Sequence, residues 1–168
     1  MENIKILVLD VDGTLTDGKI YVDDKDNFFK AFNVKDGFAL VNWLKLGGEV
    51  AILTGKKSNI VERRSKELGI KYVIQGSKNK TQDLKKLLDR LNISFENTAY
   101  MGDDLNDLGV MKNVALSGCP KDSVQEVLEI SNFISTKIGG DGAVREFLEY
   151  IMKNNGMWKK ILEKYSNE

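Results

Sequence analysis

The stretch KILVLDVDGTLTDG, residues 5–18, sets a run of strand formers directly against Asp10, Asp12 and a glycine. Residues two apart on a strand project to the same side, roughly 6.5–7 Å from one another. Asp10 and Asp12 therefore repel each other unless a cation stands between them. Further short apolar runs follow at 50–53, 72–74, 98–101, 114–116 and 133–134, and with 4–9 they read as buried parallel strands. Helical patterns alternate with them at about 36–46, 58–68, 80–91, 104–112, 122–130 and 142–153, several closed by glycine (Gly47-Gly48, Gly69). This alternation predicts an α/β fold, a doubly wound, Rossmann-like parallel sheet with helices on both faces. In such sheets ligands bind beyond the carboxyl ends of the strands.

Sorted by that rule, the polar residues gather at one rim. Asp10 and Asp12 close the first strand, and Thr54-Gly55 closes the second. Lys80 opens the helix after the third, and Gly102-Asp103-Asp104 closes the fourth. A hard cation that prefers oxygen ligands and keeps some of its waters suits this set, so Mg²⁺ is expected, with Asp103 adding a carboxylate. Zinc suits it poorly, because the chain has no histidine and one cysteine. The missing histidine also excludes Ser-His-Asp and Cys-His chemistry. An aspartate can attack phosphorus directly. Asp10 is placed as that nucleophile, giving an aspartyl-phosphate, while Asp12 protonates the leaving oxygen and then activates water. Thr54 and Lys80 would hold the phosphoryl oxygens, with backbone N–H groups at Gly13 and Gly55.

Composition bounds the alternatives. With 168 residues, 42% hydrophobic and 30% charged, the chain fits one domain over 1–168 with a single core. Lys plus Arg and Asp plus Glu are 25 each, so no overall field attracts nucleic acid or a membrane, and neither is expected as a partner. Cys119 has no second cysteine to pair with, and Met1-Glu2-Asn3 leads into the first strand without a signal-peptide pattern, so a cytoplasmic location is expected. No apolar run approaches the ~20 residues of a membrane helix.

The motifs Asp10-Val11-Asp12-Gly13-Thr14-Leu15-Thr16, Leu53-Thr54-Gly55, Lys80 and Gly102-Asp103-Asp104-Leu105-Asn106-Asp107 resemble, in order, the four motifs of the haloacid dehalogenase-like phosphatases. The likeness covers nearly the whole chain. Thr16-Asp17-Gly18, residues 32–37, Gln75-Gly76 and residues 139–146 look like the small cap-less branch that includes 3-deoxy-D-manno-octulosonate 8-phosphate phosphatase. Relatives there act on nonulosonate 9-phosphates, the precursors of sialic acids. The resemblance implies hydrolysis of an acidic keto-sugar phosphate, the octulosonate ester first and a nine-carbon ester as the alternative. It also implies Mg²⁺ on the Asp10 side chain, the Asp12 carbonyl and Asp103, with Asp104 and Asp107 behind them. A homotetramer is implied as well, in which a neighbouring subunit completes the site.

No lid domain is encoded. Residues 19–33 read instead as a hairpin, with Ile20 and Val22 on one arm, Phe28 and Phe32 on the other, and turn chemistry at 23–27. For the substrate carboxylate, Lys56, Arg64, Lys78 and Arg145 are candidates near the rim. Against this, Arg63, Arg64 and Lys66 also read as a solvated helix face, Thr14 and Thr16 as turn residues, and Gly139-Gly140 as a flexible turn or a loop near the site. Trp158, Ile161, Leu162 and Tyr165 share a helical face, so the tail over about 154–168 is expected to form an amphipathic helix packed on its own domain. A receiver-like phosphoacceptor switch is the rival from another class. It would place its phosphoacceptor on a later strand, and Asp12 would shorten the life of any phosphoenzyme. An idle scaffold would not require five convergent polar groups, and a phosphomutase would be expected to carry a cap.

Overall fold

A computed structural model describes residues 4–167. Residues 1–3 and 168 lie outside the described residues, and with them the expected lead from Met1-Glu2-Asn3 into the first strand. The elements in chain order are β1 (Ile6–Leu9), β2 (Tyr21–Val22), β3 (Phe28–Phe29), α1 (Val34–Lys45), β4 (Glu49–Thr54), α2 (Asn59–Leu68), β5 (Tyr72–Gln75), α3 (Lys80–Leu91), β6 (Thr98–Met101), α4 (Leu108–Met111), β7 (Leu116–Cys119), α5 (Gln125–Ile130), β8 (Phe133–Ile134), α6 (Ala143–Asn154) and α7 (Met157–Ser166).

Six strands form one parallel sheet in the order β5-β4-β1-β6-β7-β8. The chain builds outward from β1 on one side, then returns to start again at β6 on the other. The switch point falls between β1 and β6, where a crevice opens at the carboxyl ends. Side chains alternate along β1 and divide the core. Leu7 and Leu9 face a cluster with Leu40, Trp43, Val61, Phe147 and Ile151, while Ile6 and Val8 face Leu84, Leu87, Val110 and Val127. Helices therefore cover both faces, α1, α2, α6 and α7 on one and α3, α4 and α5 on the other.

Local chemistry sets the helix ends. Asn33 accepts from Lys35 N at 2.8 Å and caps α1, so that helix starts two residues before the expected 36. Asn79 caps α3 by accepting from Gln82 N at 3.0 Å, which fixes Lys80 in the first turn. The helix expected at 104–112 is a 3₁₀ turn, Leu105–Asp107, followed by the short α4. The one expected at 122–130 starts at Gln125, because Ser123 and Pro120 form a turn in which Ser123 Oγ donates to Pro120 O.

The fifth strand lies at Leu116–Cys119 rather than 114–116. Ser117 is buried there because its N–H and hydroxyl both donate to Asn132 Oδ1 at 2.9 Å, and Gly118 because a Cβ would lie 2.9 Å from the Phe147 ring. Neither residue reads as strand core. The hairpin pairs Tyr21 with Phe29 and Val22 with Phe28. Its turn is tied by Asp23, which accepts from Lys25 N, Asn27 N and Asn27 Nδ2. Phe32 lies beyond the paired arms and packs against the core instead. The tail helix docks in cis through buried Ile161, while Leu162 turns outward and Tyr165 stacks on Phe38 at 5.1 Å.

Asp36 links α1 to α6. It is buried, and its Oδ1 accepts from Arg145 N at 2.7 Å, capping the first turn of α6 from another helix; its Oδ2 has no partner among the described residues. Burial pushes its pKa up to about 6. A carboxyl raised in the folded state binds more protons folded than unfolded between its ordinary value and about 6, so its penalty on stability is present above that window and is relieved as pH falls through it. Two measurements test the packing. Urea denaturation of Phe147→Ala is expected to show a loss of about 3–5 kcal/mol. Melting of wild type and Asp36→Asn at pH 7 and pH 5 is expected to show the wild type gaining on the variant at the lower pH.

Candidate active site

Three strand ends supply the site. The N–H of Asp10 donates to Met101 O at 3.0 Å, which ties the end of β1 to the end of β6. Beyond Asp10 the chain turns sharply: the N–H groups of Thr14, Leu15 and Thr16 all donate to Val11 O, and Gly13 adopts φ +99°. A Cβ at Gly13 would lie 2.0 Å from Asp103 Oδ2, so only glycine lets that carboxylate lie against the turn. Thr16 Oγ1 accepts from Gly18 N and donates to Val11 O, a turn role. Thr14 does more, since its hydroxyl donates to Asp103 Oδ1 at 2.8 Å.

Lys80 Nζ lies 2.9 Å from Asp10 Oδ1 and 2.7 Å from Asp107 Oδ1, and all three side chains are nearly or fully buried. Asp107 is saturated. Its Oδ1 accepts from Lys80 and from the Tyr100 hydroxyl, and its Oδ2 from the backbone N–H groups of Asp103 at 3.0 Å and Asp104 at 3.3 Å. Gly102 makes room for it, because a Cβ there would meet the Asp107 carboxyl carbon at 2.3 Å. Asp104 is exposed and caps the 3₁₀ turn by accepting from Leu105 N at 2.7 Å.

The electrostatics follow from burial. Asp103 is pushed up to about 7 by burial and then by Asp10, against the Thr14 hydrogen bond. Asp10 is pushed up to about 6 by burial and by Asp107, with Lys80 opposing. Burial presses Lys80 down, but the two carboxylates more than reverse this and keep it protonated. Carboxylate oxygens of Asp10, Asp103 and Asp107 lie within 4.8 Å of one another. Asp107 has already spent its lone pairs on four donors, so Asp10 and Asp103 are the pair with charge to offer a cation. An all-oxygen set with two crowded, desolvated carboxylates fits Mg²⁺.

Asp10, Asp12, Thr54, Gly55, Lys56, Asp103, Asp104 and Asn106 line one open cavity of about 280 Å³. Thr54 is buried at its base, and its hydroxyl accepts from Lys56 N at 3.4 Å. A second cleft of about 420 Å³ adjoins it through Asp12, Gly18 and Lys56, and runs between the hairpin (Tyr21, Phe28, Phe29, Lys30) and Lys57–Ile60. The structure thus brings Lys56 to the site. It does not bring Arg64, which pairs with Glu67 at 2.9 Å and lies over Phe32, nor Lys78, which is exposed and lines neither cavity. Arg145 also lies elsewhere, pairing with Glu149 and held between the rings of Phe38 and Trp158 at 5.2 and 4.9 Å. Gly139-Gly140 packs on the turn after β1, with Gly140 N donating to Thr14 O at 3.1 Å.

Sequence reasoning missed Tyr100 and Lys30. Tyr100 sits within an apolar strand pattern, and only its need for a buried hydroxyl partner hints at a role. Lys30, whose Nζ pairs with Asp12 Oδ1, carries no local signal.

A model of haloacid dehalogenase-like hydrolases matches residues 57–148. The 3-deoxy-D-manno-octulosonate 8-phosphate phosphatase KdsC of Escherichia coli K12 is 43% identical over 155 residues, 92% of this chain and 82% of that protein. The chain belongs to the haloacid dehalogenase-like hydrolases. Among solved members of this family, the octulosonate phosphatase of Moraxella catarrhalis, crystallised with magnesium, phosphate and 3-deoxy-D-manno-octulosonate, superposes with a TM-score of 0.95 at 37% identity over 98% of this chain and 94% of that one. The corresponding Yersinia pestis phosphatase gives 0.92 at 36% identity over 94% and 85%.

Two variants test the geometry of this hydrolase site. Gly13→Ala, which drives a methyl into Asp103, is expected to abolish Mg²⁺ binding in calorimetric titration while leaving the sheet's circular dichroism in place. Tyr100→Phe removes one donor from a buried carboxylate and is expected to lower stability by about 1–3 kcal/mol in urea denaturation.

Proposed function

We propose that this hydrolase cleaves the phosphomonoester of 3-deoxy-D-manno-octulosonate 8-phosphate. The observation that carries the reading is a buried carboxylate, Asp10, held by Lys80 at the mouth of a cavity whose other walls are Thr54, Gly55 and Asp103. KdsC, 43% identical, and the Moraxella enzyme crystallised with the free sugar acid support the substrate.

Asp10 forms the bond to phosphorus as the ester P–O bond breaks, and Asp12 gives its proton to the departing sugar oxygen. Water then adds to phosphorus, Asp12 takes back a proton from that water, and the Asp10–phosphorus bond breaks to release inorganic phosphate. Thr54, Lys80 and the N–H groups of Gly13 and Gly55 hold the phosphoryl oxygens in both steps. The Asp10 carboxylate, the Asp12 carbonyl and Asp103 would hold Mg²⁺, which supplies the positive charge that lets an anionic nucleophile approach an anionic ester. Asp107 keeps Lys80 charged and aimed at Asp10. Asp104 caps the turn that carries Asp107. Lys56, with Lys19 and Lys57 along the larger cleft, offers cations for the sugar carboxylate.

The assembly proposed is a homotetramer, supported by the hairpin. Ile20 is 71% exposed, Phe28 64% and Phe29 55%, apolar side chains left open on the hairpin beside the cleft. A neighbouring subunit seated there would bury that surface and exclude water from the site. The compartment proposed is the cytoplasm, where the buried thiol of Cys119 stays reduced.

Phosphate release from octulosonate 8-phosphate, N-acetylneuraminate 9-phosphate, its nonulosonate analogue without the acetamido group, hexose 6-phosphates and a nucleotide tests the reading. The eight-carbon ester is expected to lead, with turnover lost in EDTA and reduced by a factor on the order of 10³ or more in Asp10→Asn. A lead for a nine-carbon ester replaces the substrate. A phosphoryl group that persists on Asp10 without turnover replaces the enzyme with a switch. Sedimentation of Phe28→Ser is expected to show smaller species than the wild type.

A further inference from the structure

We infer that Lys30 is a positioning residue for Asp12, through which the hairpin sets the orientation of the group that protonates the departing sugar oxygen; this rests on the acid role proposed above for Asp12. The other carboxylates of the site are held by the main sheet and its helices. Lys80 at the start of α3 holds Asp10, Thr14 holds Asp103, and Lys80, Tyr100 and two backbone N–H groups hold Asp107. Asp12 is the exception. Its Oδ1 accepts from Lys30 Nζ, and among the described residues that is the one hydrogen bond its carboxylate makes.

Lys30 follows directly on β3, so the amine reaches Asp12 from the hairpin and not from the sheet. Its side chain is only 16% exposed and that of Asp12 23%, so the pair is shielded well enough for the contact to hold one geometry rather than dissolve into solvent. With Lys30 on Oδ1, Oδ2 remains to carry the proton that passes to the sugar oxygen. Both residues line the larger cleft, the way out for the sugar. The hairpin is only two residues per arm and largely exposed. What fixes it therefore fixes Asp12 as well.

The prediction separates leaving groups. A sugar alkoxide needs a proton as its bond breaks, whereas p-nitrophenolate leaves without one, so misplacing Asp12 penalises the first and spares the second. General acid catalysis contributes about 10²–10⁴. Lys30→Met in the full-length chain is expected to lower kcat for octulosonate 8-phosphate about 10- to 100-fold with KM little changed, and to lower the p-nitrophenyl phosphate rate less than about threefold. Phenyl phosphate should fall between them. Lys30→Arg, which keeps the charge, should recover part of the loss. A loss that raises KM for the sugar ester and leaves kcat intact makes Lys30 a substrate ligand and overturns the inference. So does an equal loss on all three esters. Asp12→Asn is run beside them. If it shows the strong leaving-group dependence and Lys30→Met does not, the inference alone fails. If Asp12→Asn itself shows none, the acid role fails and takes the inference with it.

Discussion

A lysine buried between two carboxylates organises this site. Taking a charged amine out of water costs several kcal/mol unless opposite charges and hydrogen bonds replace the lost hydration, and Lys80 obtains both from Asp10 and Asp107. Asp107 then has to be satisfied in turn, and it is, by a tyrosine hydroxyl and two backbone N–H groups. Its position requires that residue 102 have no side chain. Three of the four motifs, the first, third and fourth, scattered over nearly a hundred residues of sequence, are thus one another's partners through Lys80–Asp10, Lys80–Asp107 and Thr14–Asp103. Removing Asp10, Lys80 or Asp107 leaves a buried charge short of a partner.

The sheet supplies the place where such a cluster can exist. Its central strands are buried on both faces and carry apolar side chains alternately to each. Their carboxyl ends are where the chain leaves the sheet in opposite directions, and polar groups can gather there without crossing the core. The helices register on this frame by long-range caps as well as by packing. Asp36 of α1 satisfies a backbone N–H in the first turn of α6, and Arg145 lies between Phe38 of α1 and Trp158 of α7. That stack holds the arginine, which lines neither cleft of the site.

Much of this was legible in the sequence, for a physical reason. A carboxylate or a threonine placed where an apolar run stops must lie at a strand end, so Asp10, Thr54 and Asp103 fall on one rim by sequence alone. The order of strands and helices followed from period alone. What could not be read was direction and partnership. Arg64, Lys78 and Arg145 lie near the rim in sequence, but a side chain that far from a strand end is free to turn either way, and two of the three found acids on their own helices and rings elsewhere in the chain. Ser117 and Gly118 are strand residues because of Asn132 and Phe147, which no local window contains. Thr14 reads as turn chemistry and is that, yet it also steers Asp103 across 89 positions. Tyr100 hid in plain strand pattern.

The glycine pair after β8 has a consequence for biosynthesis. A Cβ at Gly139 would fall 1.8 Å from Gly13 O, and one at Gly140 2.6 Å from Asp17 N, so this loop lies flush against the turn that follows Asp10. The turn is made first and its backing last. While the chain is being synthesised, the turn that follows Asp10 emerges with β1, and the wall behind it arrives only after residue 140. A nascent chain shorter than that has every acidic residue of the centre and lacks this backing for them, so the folded geometry is withheld until residue 140 has been made.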